Sequence, residues 1–315
     1  MIVTVTLNAA LDVTYRVPRL RPHTTHRVSE AAERPGGKGL NVARVLAALG
    51  HQAVATGFAG GAAGDRLRAW LTGIDGVTDA LVPTSGSTRR TVGVVDESGG
   101  DTTMFNEPGP TITSEEWAAF LGTYRAFLEG GAIRAVALCG SLPPGLPVGC
   151  YADLVRDARG VGVPVLLDTS GEPLRRGLAA RPDLVKPNAT ELTGLTGTTE
   201  PLRAARAARR RGARAVAASL GPDGMLALAE DGTVWTARPP APVPGNPAGA
   251  GDSAVAALLS GLVEGLDWPR RLARAVALSA ATVAAPVAGE FDRGVYEDLL
   301  GRVEVLRSEE GASRL

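Results

Sequence analysis

Short, apolar, β-branched runs alternate with helix-length amphipathic runs along most of the chain. "IVTVTL", "GLNVARVLAALG", "QAVATGF", "DRLRAWLTG", "RAVALCG", "VPVLLD" and "RAVAASLG" follow one another in that order. No other feature limits the fold as much. A strand that returns parallel to its predecessor needs a crossover long enough to hold a helix, so the order predicts an α/β layered fold around a largely parallel sheet. With 44% hydrophobic and only 4% aromatic residues, Ala, Val, Leu and Gly must do most of the packing. At 315 residues there is ample surface to bury in one large domain.

Two stretches break the rhythm. Residues 13–28 and 88–105 are strand-like without an intervening helix, and the second turns at Ser98-Gly99-Gly100 as a hairpin would. They predict a small extra sheet, from about residues 10–32 and 86–108, placed as a lid on a single domain spanning 1–315.

Several function classes are disfavoured. The 33 basic and 33 acidic side chains cancel, and the arginines of 203–214 recur at helical spacing before Gly212, which reads as a solvated helix face rather than a nucleic-acid surface. Residues 135–152 are uncharged, yet Pro143, Pro144 and Pro147 with Gly140 and Gly145 would break a membrane-spanning helix there. "MIVTVTLNAALD" alternates like a buried strand and lacks the basic start and cleavage site of a signal peptide. Cys139 and Cys150 stand outside any short stapled segment, so a reducing, cytoplasmic setting is expected. His23, His26 and His51 form no transition-metal set. The GxxxxGK[ST] pattern of P-loop enzymes does not occur, and "GFAGGAAGD" has the wrong glycine spacing for a dinucleotide fingerprint.

The chemistry concentrates at helix entrances. In "NPAGAGDSAVAALLSGL" (246–262), Gly249, Ala250 and Gly251 leave backbone N–H groups bare where the helix dipole is positive, an arrangement that holds an anion. Asp252 beside them is out of place in a pure phosphate cradle but suits a general base that takes a hydroxyl proton during phosphoryl transfer. The dipole should hold its pKa slightly below the ordinary value, leaving it ionised at neutral pH. The plain alternative is a glycine-softened helix start with a first-turn aspartate.

"RPGGKGLNVARVL" (34–46) offers Gly36, Gly37, Lys38, Gly39 and Asn41 at a second entrance, fit for sugar hydroxyls or phosphate, or else a loop with a solvated lysine. In "LVKPNATEL", Asn188 and Glu191 are spaced either as a capping box or as holders of a hydrated magnesium ion. "SLGPDG" (219–224) is a turn that can lie beneath a nucleotide. Arg89 and Arg90 in a lid strand can pair with phosphate or face solvent.

Taken together, "TVTLNAALD", "GGKGLNVARVL", "STRRTVGVV", "CGSLPPG", "DTSGEPL", "LVKPNATEL", "SLGPDG" and "NPAGAGDS" closely resemble, in order and over nearly the whole chain, the PfkB family of ribokinase-like sugar kinases. Within it they are most similar to the phosphosugar branch of 1-phosphofructokinase and tagatose-6-phosphate kinase. The resemblance implies a three-layer α/β/α sandwich with a β-sheet lid, through which family members often dimerise. It implies ATP as co-substrate, Mg2+, and a transferase of the cytoplasm.

Carried over, Asp252 would be the catalytic base, with Gly249, Ala250 and Gly251 as the anion hole. Lys186, Asn188 and Glu191 would position Mg-ATP, the metal held by Asn188 and Glu191 through water, while Ser219, Gly221 and Gly224 line the nucleotide. Asp12, Gly37 and Asn41 would bind sugar hydroxyls or phosphate, with Lys38, Arg89 and Ser141 on the substrate phosphate. Lys38 favours fructose 1-phosphate or tagatose 6-phosphate over fructose 6-phosphate, since the minor 6-phosphofructokinase has glycine there. Ala9 and Ala248 depart from the branch's usual proline and valine, and Gly93 from a polar or basic lid residue. A catalytically silent sugar-phosphate sensor is the competing reading, against which the retained Asp252 and its cradle argue.

Overall fold

The computed structural model describes residues 1–28, 31–99, 101–285 and 289–308; Gly100 of the expected hairpin turn lies outside them. The chain opens with β1 (Ile2–Thr6), β2 (Ala10–Val17), β3 (Ala31–Gly36), α1 (Lys38–Ala48), β4 (Ala53–Ala59), α2 (Gly61–Leu71) and β5 (Val77–Pro83). There follow β6 (Arg89–Asp96), β7 (Thr102–Asn106), α3 (Ser114–Glu129), β8 (Ala135–Cys139), α4 (Cys150–Gly160), β9 (Val165–Asp168), α5 (Gly171–Leu178) and β10 (Leu184–Val185). The last third holds α6 (Ala189–Thr196), α7 (Pro201–Arg210), β11 (Ala215–Ser219), β12 (Met225–Leu228), β13 (Val234–Arg238), α8 (Ala250–Val263), α9 (Trp268–Ala284), α10 (Arg293–Leu300) and β14 (Glu304–Ser308).

The main sheet runs β14-β13-β12-β11-β10-β9-β8-β1-β4-β5. From β5 to β11 every pairing is parallel, and β12, β13 and β14 close the far end antiparallel. Apolar clusters cover both faces. Phe120, Tyr124, Tyr151, Leu154 and Leu174 pack one side and Leu40, Leu46, Leu67, Val255 and Leu272 the other, giving the three α/β/α layers. Parallel strands sandwiched in this way read as continuous apolar runs because neither face meets water. α8 lies deepest, with ten consecutive buried residues from Asp252 to Gly261, which explains its nearly all-apolar sequence. α7 shows the opposite pattern: Leu202, Ala204, Ala205 and Ala208 face inward and its arginines outward.

The second sheet is β3-β2-β6-β7, with β2 and β6 parallel and the other pairs antiparallel. Its third segment extends beyond the expected limit near residue 32, running as β3 to Gly36 at the door of α1. Cβ atoms built on Gly36 and Gly39 would lie 2.2 Å from the Asp12 carboxylate and 2.4 Å from Thr6 Oγ1. These two glycines let β3 and α1 pack against their neighbours, a reason separate from ligand access.

The order in which strands are added reverses between β1 and β8: β4 and β5 extend the sheet one way, β8 to β11 the other. In open α/β sheets the crevice outside the carboxyl ends of the strands at such a switch point is where ligands bind.

Candidate active site

Eleven of the sequence-named residues meet at that crevice, joined there by Asp168, which the sequence did not single out. Asp168 is the last residue of β9, Lys186 follows β10, Ser219 ends β11, and Lys38 and Asp252 open α1 and α8. An isolated parallel bridge joins Asn188 to Ser219, setting the "KPN" and "SLG" turns side by side. Lys38, Lys186, Asn188, Glu191, Ser219, Gly221, Gly224, Gly249, Ala250, Gly251 and Asp252 all line one cavity of about 670 Å³. A somewhat larger cleft, about 770 Å³, lies elsewhere between α1, α2 and residues 289–293 and contains none of them.

The α8 entrance is built as its sequence suggests. Gly249 is the N-cap at φ 82°, a left-handed conformation costly for other residues, and no side chain among the described residues caps the helix. Gly251 lies close to Lys186: a Cβ there would sit 3.4 Å from Nζ. An ammonium ion at the positive end of a helix dipole is an unfavourable pairing unless an anion joins them.

Asp252 is buried, and Asn41 Nδ2 donates to its Oδ2 at 2.8 Å. Its pKa is pushed up to about 7, first by burial and then by the Asp168 charge, against the lowering effects of the Asn41 hydrogen bond, Lys38 and Lys186. This corrects the expectation of a slightly lowered value. Loss of solvent around a carboxylate outweighs the weak pull of the helix dipole.

Asp168, 1% exposed, was not singled out from the sequence, yet it organises the site. Lys38 Nζ donates to its Oδ2 at 3.1 Å, and Lys186 Nζ lies 3.3 Å from Oδ1. Oδ1 has no hydrogen bond among the described residues, so that second contact is ionic only. Burial opposes the Lys38 charge, but Asp168, with Glu191 and Asp252 behind it, holds its pKa above the ordinary lysine range. "DTSGEPL" carried this residue, but a strand-end aspartate has no spacing signature to a lysine 130 residues away.

Asn188 and Glu191 form a complete capping box on α6: Asn188 Oδ1 accepts from Glu191 N at 2.8 Å and Glu191 Oε2 from Asn188 N at 2.9 Å. Both nevertheless line the cavity.

The residues assigned to the acceptor lie at the junction with the small sheet. Asp12 on β2 has its pKa raised to about 6 by burial, opposed by a Thr91 hydrogen bond and by Arg89. Arg89, half-buried at the start of β6, donates from Nε to Asn8 O at 3.2 Å and from Nη1 to Glu107 O at 3.2 Å. Gly37 is the N-cap of α1, Asn41 lies one turn in, and exposed Ser141 follows β8.

A buried carboxylate with a near-neutral pKa beside an uncapped helix N-terminus, faced by two lysines, has the parts needed to deprotonate a hydroxyl and receive a phosphoryl group. Known proteins bear the same arrangement of elements. The tetrameric inhibited form of Escherichia coli phosphofructokinase-2 is 30% identical, with a TM-score of 0.85 over 96% of this chain and 98% of that one. A Thermotoga maritima protein described as a possible 1-phosphofructokinase is 27% identical, with a TM-score of 0.87 over 98% and 99%. Arabidopsis thaliana ribokinase complexed with ribose and ATP is 25% identical, with a TM-score of 0.73 over 95% and 98%. Residues 3–291 match the profile of pfkB family carbohydrate kinases, and with a match of that extent the chain belongs to the pfkB family.

Proposed function

We propose that this kinase transfers the γ-phosphoryl group of ATP to a phosphosugar, fructose 1-phosphate, giving fructose 1,6-bisphosphate. The observation that carries the reading is Asp252, buried with a pKa pushed up to about 7 at the uncapped entrance of α8, lining one cavity with Lys38 and Lys186, both of which pair with Asp168. Asp252 takes the proton of the C6 hydroxyl. The freed oxygen attacks the γ-phosphorus in line, its bond to the β-γ bridging oxygen breaks, and ADP leaves. The bare amides of Gly249, Ala250 and Gly251 receive the charge spread over the transferring group. Lys186, Asn188, Ser219, Gly221 and Gly224 hold the nucleotide. Asp12, Gly37 and Asn41 bind the sugar, with Lys38, Arg89 and Ser141 on its phosphate.

Magnesium fits the residues present. Glu191 lines the cavity near Lys38 with few other carboxylates, which suits an ion that keeps most of its water and takes few protein ligands. When bound, it would neutralise charge between the β- and γ-phosphates. Each residue spends one oxygen on the capping box, Asn188 its only side-chain oxygen and Glu191 only Oε2, so Glu191, with its charge and Oε1, is the stronger of the two holders. We assign the small sheet as a lid whose outer face joins two copies of the chain.

Tagatose 6-phosphate and fructose 6-phosphate are the alternative acceptors; E. coli phosphofructokinase-2 is known in complex with fructose-6-phosphate. ADP release from Mg-ATP with each phosphosugar, and with free fructose, decides among them. The expected result is turnover with fructose 1-phosphate well above the rest. No release with any of them, from folded protein that still binds a phosphosugar, would establish a sensor instead.

A further inference from the structure

Two of the three residues assigned to the substrate phosphate, Arg89 and Ser141, are hydrogen-bonded to a residue with no role so far, Asn8. It lies where the chain first crosses from β1 to β2, and it is 7% exposed. Its backbone oxygen accepts from Arg89 Nε at 3.2 Å, at the second crossing. Its side-chain Nδ2 donates to Pro108 O at 3.1 Å, on the return crossing after β7, and to Ser141 Oγ at 3.2 Å, on the loop after β8. A backbone bond from Ile112 N to Pro144 O, 2.9 Å, joins the same two segments again farther along.

We propose that Asn8 is the positioning residue of the acceptor-phosphate clamp, fixing the spacing of Arg89 and Ser141 and tying both to the root of the small sheet. Nδ2–H occupies a lone pair of the Ser141 hydroxyl, so the hydroxyl's own proton is left to donate toward a phosphate oxygen. The Asn8 and Glu107 carbonyls hold Nε and Nη1 of Arg89, while its Nη2 makes no hydrogen bond among the described residues and is left to donate to a phosphate oxygen. The acceptor end of the amide is closed off: Oδ1 is buried without a partner among the described residues, against Gly109. Gly109 is at φ 96°, and a Cβ there would lie 2.2 Å from Oδ1, so any larger residue would push the amide out of place. Small-sheet position and phosphate recognition are thereby one mechanical unit.

This inference rests on the phosphosugar-kinase reading, and the test separates the two. Asn8→Asp keeps the side-chain shape but has no N–H to give Pro108 or Ser141. It is expected to raise KM for fructose 1-phosphate about tenfold, with KM for ATP within about twofold, the size of effect that losing two hydrogen bonds implies. Gly109→Ala, striking the clamp from the other side, should do the same. Asn8→Asp combined with Ser141→Ala should cost clearly less than the sum of the two single losses, because one of the two Asn8 hydrogen bonds acts through Ser141. Equal increases in both KM values, or additive losses in the double variant, would overturn the proposal. If the wild-type protein turns over no phosphosugar, the functional reading fails, and amide hydrogen exchange still tests the clamp. Asn8→Asp should speed exchange in residues 107–112 and 140–146 while α8 is unchanged; exchange that is faster everywhere or nowhere sinks it.

Discussion

A carboxylate is useful as a base near neutral pH only if something holds its pKa there, and at Asp252 burial and Asp168 do so together. Asp252→Asn should keep the fold and lower kcat by about two to four orders of magnitude, measured by ADP release. In the wild type, kcat/KM should fall as pH drops below about 7, where Asp252 takes up its proton. Asp168→Asn removes a raising charge, so the acid limb of that profile should move to lower pH. The variant should also lose on the order of 3 kcal/mol of stability, because the deeply buried Lys186 loses its counter-charge. Stability carries its own signature. A carboxyl group whose folded pKa exceeds its unfolded value binds its proton more tightly when folded, so its contribution is complete below about pH 4 and is lost as pH rises through about 7. Between those limits Tm should fall more steeply in the wild type than in Asp252→Asn. At this scale Asp252 was legible, because a charge beside two glycines at a helix entrance is conspicuous in the sequence. Asp168 was not, since its meaning depends on lysines that only the folded sheet brings to it.

At the scale of elements, the two entrances that matter are built by opposite means. α8 begins on a left-handed glycine with no side-chain cap, leaving its amides for a ligand, whereas α6 begins on a complete capping box that satisfies its own. Gly249→Ala should cost about 1–2 kcal/mol through its positive φ and raise KM for ATP, seen in paired thermal melts and kinetics. For α6, the "NATE" spacing allowed either a cap or a metal holder, and the cap is now visible; the metal role needs a variant that spares it. Glutamine at N3 still accepts from the N-cap amide, so Glu191→Gln should keep Tm nearly unchanged yet raise the magnesium concentration needed for half-maximal rate. Glu191→Ala should lose both. If Glu191→Gln leaves the magnesium dependence untouched, Glu191 only caps a helix.

Over the whole molecule, the order of layers was legible because every parallel strand demands a crossover, and that demand is written as the alternation of runs. The antiparallel end was not. β12, β13 and β14 are short, β12 and β13 are joined by a turn instead of a helix, and β14 is largely exposed, so they carry no such rhythm. The small sheet was legible as an interruption of the rhythm, and its exposure argues for a partner. Every residue of β7 is exposed, with Met104 at 53% and Phe105 at 58%, and large apolar side chains grouped on an edge strand are a liability in a lone chain. Met104 and Phe105 point to opposite faces of the strand, so a second copy laid against the face that carries Phe105 would cover that ring and hold the two sheets at a fixed angle to the sites below. Phe105→Asp should therefore convert a dimer to a monomer in sedimentation equilibrium. It should also raise KM for the phosphosugar through the root of the small sheet at Arg89 and Pro108 without changing KM for ATP. A wild-type protein that sediments as a monomer would leave β7 exposed for some other reason and remove this account of it.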